Sequence, residues 1–230
     1  SVLRGEDRNY DLIFLSQVVT LTAERSGYAL TENAVFTIEA FEDYWAHLTN
    51  EGYIALKLYD EPTLSRSLSI VMELLNRQGL TDQEALNHTI TLLSPTTNPP
   101  TPMLIIRKTP FTRDEATVIG RTAQNLGFVS LFLPYVQADP PLDAVVAGVD
   151  TYQEIINRSS LDISTPTDNR PFFYQFENGI PEDLQPVLQF VGAVTIFGIV
   201  LLGGVGLRTG MSSFVPVSLY FAALGVGFIM

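Results

Sequence analysis

The chain has 230 residues and no cysteine. That absence removes disulfides, thiol nucleophiles and thiolate metal ligands, and says little about compartment. Histidine is almost as scarce: only His47 and His88 occur. They fall on unrelated stretches with no metal-ligand spacing around them, so no metal site is expected. No serine stands on a recognisable nucleophile elbow, which leaves a Ser-His-Asp triad without support. No glycine-rich strand-to-helix turn precedes Tyr10, so the usual cofactor-binding half of a Rossmann-type sheet is not in view. No basic segment followed by a short apolar run opens the chain, and no signal peptide is expected. Positive charge is short as well, with 13 Lys and Arg against 25 Asp and Glu for a net charge of −12. Such an excess repels phosphate backbones, so nucleic acid is not expected as a partner. An acidic surface could draw a small cationic substrate, but overall charge does not identify one.

Charge of either sign is missing altogether from Pro186 to Leu207. A helix needs roughly 20 such residues to cross the hydrocarbon core of a bilayer. The acidic residues all lie at or before Asp183, and Arg208 is the one basic residue beyond it. A short break at Arg208-Thr209-Gly210 leads into a second apolar run that continues to Met230. These two runs predict transmembrane helices at about 186–207 and 212–230, with the lipid bilayer and other membrane helices as partners. Ala223 and Gly227 have the small-xxx-small spacing that lets helices approach closely, a spacing equally expected from ordinary small-residue usage in a membrane helix.

The preceding residues read as a mixed α/β domain. The run Tyr10–Leu15 suits a buried strand. Val35, Ile38, Phe41, Trp45 and Leu48 recur at helical spacing, with Glu39, Glu42 and Asp43 on the opposite surface, which predicts an amphipathic helix ended by Asn50-Glu51-Gly52. Tyr53–Leu58 reads as a second strand. A second helix has Pro62 near its start, Leu64, Leu68, Val71 and Leu75 on one face, and Gly79 as its stop. Thr81/Glu84, Thr112/Glu115 and Thr151/Glu154 have capping-box spacing and predict helices near 82–88, 113–126 and 152–158. Residues 89–93 and 103–107 flank a proline-rich stretch and predict an antiparallel hairpin, and 129–133 a further strand. This order points to an α/β domain with a mainly parallel sheet, of which about half is present.

Four segments, YDLIFLS at 10–16, LTENAVFTIEAFEDYWAHLTNEGYIAL at 30–56, RKTPFTRDEATVI at 107–119 and TDNRPFFYQF at 167–176, followed by membrane runs, resemble one family. It is the membrane-associated spermidine/spermine synthase-like family, with a class I S-adenosylmethionine-methyltransferase-like fold. The resemblance implies three parts: a partial methyltransferase-like domain over 1–108, an α/β extension and juxtamembrane segment over 109–185, and a transmembrane region over 186–230. It makes 10–15 the fourth strand of that sheet, 53–58 the fifth, and 89–107 the closing hairpin. It further implies S-adenosylmethionine or its decarboxylated form as cofactor, with the main binding half upstream of Ser1. The location expected is a bacterial inner membrane, with the acidic domain on the cytoplasmic side.

One departure from the family pattern bears on chemistry. In aminopropyltransferases of this fold the fourth strand ends in an aspartate that helps deprotonate the attacking amine. Here Ser16 and Gln17 stand at that place, and neither is a useful base near neutral pH; Glu24 is displaced by several residues. Ser16, Gln17, Tyr28 and Glu39 remain the candidate substrate- or cofactor-binding residues, since open α/β sheets bind ligands at the carboxyl ends of their strands. Catalytic residues are not assigned. Glu39 also suits the helix start, where the dipole favours negative charge. Asp168 and Arg170 belong either to a clamp between domain and membrane or to a turn that closes the fold. Three functions follow: a membrane-anchored transferase of methyl or aminopropyl groups with a lapsed aminopropyl site, a non-catalytic sensing or scaffolding domain, and a regulatory domain of a transporter-like protein.

Overall fold

In the computed structural model, residues 8–16, 32–96, 98, 100–177 and 185–209 are described, with side chains of the last segment given for 185–198 and 200. The chain divides into two units, 1–178 and 179–230. In the first, the apolar run at Tyr10 forms strand β1 (Tyr10–Ser16), followed after a 3-10 turn at Ala34–Phe36 by helix α1 (Ile38–Ala46). The helix starts three residues later than the apolar spacing predicts because two caps act in series. Asn33 accepts a hydrogen bond from Val35 N–H in the 3-10 turn, and Thr37 accepts one from Ala40 N–H at the helix proper.

Helix α1 also ends earlier than expected, since His47 caps it and Leu48 already belongs to strand β2 (Leu48–Lys57). Pairing with β1 takes over there: Tyr10 N–H donates to His47 O at 2.8 Å, and Tyr10 lies opposite Leu48. Thr49 to Gly52 then bulge opposite Asp11 before the register resumes at Leu12↔Tyr53. Thr49 donates to the Asp11 carboxylate at 2.8 Å, which gives Asp11 a structural partner. Glycine is required at 52 because a Cβ would lie 2.9 Å from Tyr10 O.

Asp60 and Thr63 cap helix α2 (Glu61–Arg77) reciprocally, and Gly79 at φ +90° allows the turn that leaves it. Helix α3 (Asp82–Leu86) leads into strand β3 (Thr89–Ser94), and strand β4 (Thr101–Arg107) returns from it. Helix α4 (Arg113–Asn125), strands β5 (Val129–Leu133) and β6 (Gln137–Ala138), and helices α5 (Leu142–Val146) and α6 (Tyr152–Arg158) complete the unit. The three threonine-glutamate capping boxes are all formed, at the starts of α3, α4 and α6.

The sheet is six-stranded and open, with order β1-β2-β4-β3-β5-β6. It corrects the expectation of a mainly parallel sheet. Among the described strands β1 and β2 form the one parallel pair, and the other four pairings are antiparallel. The reason lies in where the hairpin docks. The α2–α3 crossover brings β3 back in the direction of β2, but β4 turns round and inserts between them, pairing antiparallel with both. The larger core lies on the face covered by α1, α2, α3 and α6, with Ile54, Leu56, Leu104 and Ile106 of the sheet fully buried. Helix α4 packs on the other face over Ile90, Leu92 and Leu133.

In the second unit, helix α7 (Gln185–Thr209) contains the whole uncharged run from Pro186 to Leu207. Val187, Phe190, Val194, Ile196, Phe197 and Val200 are each more than half exposed. Among the described residues no helix is long and apolar enough to cross a membrane, so the structure does not show the span expected at about 186–207. The second run expected at 212–230, with Ala223 and Gly227, lies outside the described residues.

Candidate functional site

The parallel pair β1/β2 sets the direction of the site, because ligands of open α/β sheets settle outside the carboxyl ends of the parallel strands. Ser16 ends β1 there, exposed and in register with Lys57. Gln17 and Tyr28, and Glu24 with them, lie outside the described residues.

The start of α1 belongs to the same end of the sheet, and a distant segment is laid across it. Ile38 N–H donates to Pro166 O at 3.0 Å and Asn33 N–H to Pro171 O at 2.7 Å. Between these anchors Thr167 and Arg170 form an isolated antiparallel bridge. The Thr37 hydroxyl donates to the Asp168 carboxylate at 2.7 Å, and Asp168 N–H donates to Glu39 Oε2 at 2.9 Å. Glu39 and Asp168 are thus brought together, as the two halves of a clasp between the helix start and the 166–171 turn. Arg170 points to another partner, with its guanidinium 3.2 Å from Asp162 Oδ2. The Asp168-Asn169-Arg170-Pro171 motif therefore closes the fold, and the aromatics after it enter the core: Phe173 is fully buried and stacks on Phe36 with ring centroids 4.2 Å apart.

Arg66 is the residue that the sequence reading missed. It lies on α2 with 2% of its side chain exposed. Its guanidinium donates to the carbonyls of Phe172 at 3.0 Å and Phe173 at 2.7 Å, and also to the carbonyl of Asp162. The Asp162 carboxylate is 3.5 Å away, and the Phe176 ring faces the guanidinium at 4.5 Å. Burial pulls the Arg66 pKa down to about 10, against the pull of Asp162. Burial also works against charge on Asp162, but hydrogen bonds from Ser164 and the guanidinia of Arg66 and Arg170 outweigh it and hold that carboxyl below its ordinary value. The available signal was the serine-rich stretch Ser65-Arg66-Ser67-x-Ser69, whose small side chains let neighbours close over the helix on all sides.

A second feature has the shape of a binding site. A cavity of about 550 Å³ opens between the first turns of α2, the β3–β5 region of the sheet, and α5 and α6. Leu64, Leu68, Leu93, Leu131 and Ile163 line it, as do Asp60, Glu61 and Asp139. Tyr152, another wall residue, donates its hydroxyl to Ser65 O at 3.0 Å, and burial raises its pKa well above the usual phenol value. No group of three or more histidine, aspartate or glutamate side chains suited to a metal occurs among the described residues.

No family model matches the chain, and no curated protein matches it. Among solved structures, it is similar to a probable spermidine synthase from Corynebacterium glutamicum, at 16% identity and a TM-score of 0.38. The match covers 65% of this chain and 50% of that one, so the chain spans about half the length of this solved relative. The likeness is too slight to transfer residues or activity.

Proposed function

We propose that the chain is part of a membrane-anchored protein of the spermidine synthase-like, methyltransferase-fold type in which aminopropyl transfer has lapsed. The observation that carries this reading is the state of the acids at the strand ends. Ser16 occupies the end of β1, and Glu39 and Asp168 at the neighbouring helix start are engaged in the clasp that holds the 166–171 turn. Amine attack on a sulfonium needs a neutral amine, and a carboxylate that accepts its proton typically contributes about 10²–10⁴-fold in rate. The described residues do not by themselves fit S-adenosylmethionine, since Ser16 offers one exposed hydroxyl and the nearby carboxylates already hold backbone and hydroxyl groups. A non-catalytic binding or sensing module is the second reading, and the cavity beside α2 favours it, because neither Ser16 nor Glu39 nor Asp168 is among its lining residues.

The anchor rests on the uncharged 186–207 run and on the apolar side chains that α7 exposes. The test of the chemistry is an assay of the purified full-length protein with decarboxylated S-adenosylmethionine and either putrescine or spermidine. No turnover above the uncatalysed background is expected, and Ser16→Asp alone should not restore it. Turnover near about one per second, within the usual range for enzymes, that is abolished by Glu24→Gln would overturn the lapsed-site reading.

A further inference from the structure

From Thr63 to Met72 the neighbours of helix α2 close over it, and every residue but one is buried. The exception is Ser65, which is half-buried and lines the cavity beside α2. It belongs to one stripe of that helix, Glu61, Leu64, Ser65 and Leu68, at the spacing of neighbours on a single face. All four line the cavity, so the cavity is what reaches Ser65.

The Ser65 hydroxyl is in an unusual state for the middle of a helix. A serine there can bond the carbonyl one turn back, and Ser69 does so, donating to Ser65 O at 3.1 Å. Tyr152 donates to the same carbonyl at 3.0 Å. The Ser65 hydroxyl itself makes no hydrogen bond to a described residue. It is a donor and acceptor left free on the wall of a cavity of about 550 Å³.

The rest of the lining limits what can meet it. Leu64, Leu68, Leu93, Leu131 and Ile163 are aliphatic, and five lining residues are prolines, which bring no N–H of their own. No Lys, Arg or His lines the cavity among the described residues, whereas Asp60, Glu61 and Asp139 do, so an anionic head group meets only like charge. An ammonium gains little, since Asp60 already accepts from Thr63 N–H and Asp139 from the Gln137 amide, and Glu61 is exposed to water. An ion set against leucines also loses its hydration. An apolar cavity of about 150 Å³ holds benzene, so this one has room for a considerably longer hydrocarbon body.

We propose that the cavity binds a neutral aliphatic alcohol, with its hydroxyl paired to Ser65 and its hydrocarbon body against Leu64, Leu68, Leu93 and Leu131. The inference rests on the second reading above, a non-catalytic binding module, and gives that reading a ligand class. Its failure leaves the outcome of the polyamine assay unchanged, because Ser16, Glu39 and Asp168 do not line the cavity.

The test uses three probes that share one chain: 1-octanol, octylamine and octanoate. Binding to the full chain in nanodiscs is measured by calorimetry at neutral pH. Leu93→Trp, at a half-buried lining position, fills the cavity and is the blank for partitioning into lipid. If circular dichroism shows that this variant is unfolded, empty nanodiscs are the blank. Octanol should bind the parent saturably with a Kd on the order of 100 µM. Octylamine should be several-fold weaker, with no measurable binding of octanoate. Ser65→Ala, a helix-compatible change, should weaken octanol about fivefold, and Ser65→Thr, which keeps a hydroxyl, should restore most of that loss. The proposal is overturned if octanol does not saturate up to about 2 mM, or if octylamine or octanoate binds more tightly than octanol. Equal affinity of the parent and Ser65→Ala for octanol, or of the parent and a folded Leu93→Trp, would overturn it as well.

Discussion

At the scale of single residues, Arg66 links α2 to a distant segment although it did not stand out in the sequence. It ties α2 to three carbonyls and a carboxylate from residues 162–173, a segment about a hundred positions away along the chain. Removing one partner of a buried pair leaves the other without compensation, a loss of about 3–5 kcal/mol. Arg66→Ala is therefore expected to lower unfolding free energy by about that amount in urea titration, against a total of about 5–15 kcal/mol for a typical domain. Arg66→Lys should recover only part of it, since one ammonium cannot reproduce the planar fork that reaches several acceptors. A loss under about 1 kcal/mol for the alanine variant would place the holding force elsewhere, as surface-like pairs contribute at that level. Helical spacing flagged Leu64, Leu68, Val71 and Leu75 as one buried face but could not flag Arg66, because α2 is buried on further sides by elements that arrive from later in the chain.

At the scale of elements, what was legible was local and what was missed was not. A capping box involves residues three positions apart, so Thr112 and Glu115 announced the start of α4 without reference to the rest of the fold. The insertion of β4 between β2 and β3 depends on pairings about fifty residues apart, and no local pattern encodes it. The same difference hid the clasp at the candidate site, where Thr37 and Glu39 meet Asp168. Glu115 joins the two scales, since it caps α4 and also takes Arg107 of the hairpin at 2.7 Å. Hydrogen bonds from Arg107 and then Thr112 lower its pKa from 4.5 to about 2. A depressed carboxylate contributes stability that is fully present above its unfolded value, near 4.5, and lost as pH falls through the folded value, near 2. The Glu115 side chain is 43% exposed, so solvent screening limits the effect to about 1 kcal/mol or a few degrees in Tm. Glu115→Gln should therefore melt a few degrees below the parent above about pH 5, and the two curves should converge toward pH 2. Parallel curves across that window would show that the pair contributes no pH-dependent stability.

At the scale of the whole molecule, the sequence separates two physical regimes: an acidic α/β unit with nearly all the charge, and a run from 186 to 207 with none. A soluble helix shows one polar face, but the described side chains of α7 are apolar on every side, apart from Gln185, Gln189 and Thr195, and none is buried. An exposed apolar surface of that kind calls for a covering, and under the anchor proposed above that covering is the bilayer. On insertion scales each central Leu, Ile, Val or Phe contributes about −0.3 to −0.6 kcal/mol, while a lysine there costs about 2.5–3.5 kcal/mol. Two lysines near the middle of the run, Ile196→Lys with Phe197→Lys, would thus cost about 5–7 kcal/mol, enough to offset most of what the apolar residues of 186–207 contribute. The full chain is expected to pellet with membranes and to resist extraction by alkaline carbonate and by high salt. The double variant, if the 186–207 run is the principal anchor, should shift substantially into the carbonate-soluble fraction. Salt extraction separates this anchor from simple surface attraction, which screening weakens within about 10 Å at 0.1 M salt and which an acidic chain would not have toward anionic lipid in any case. Recovery of the unaltered protein in the soluble fraction under carbonate would remove the anchor and leave α7 to be covered by protein instead.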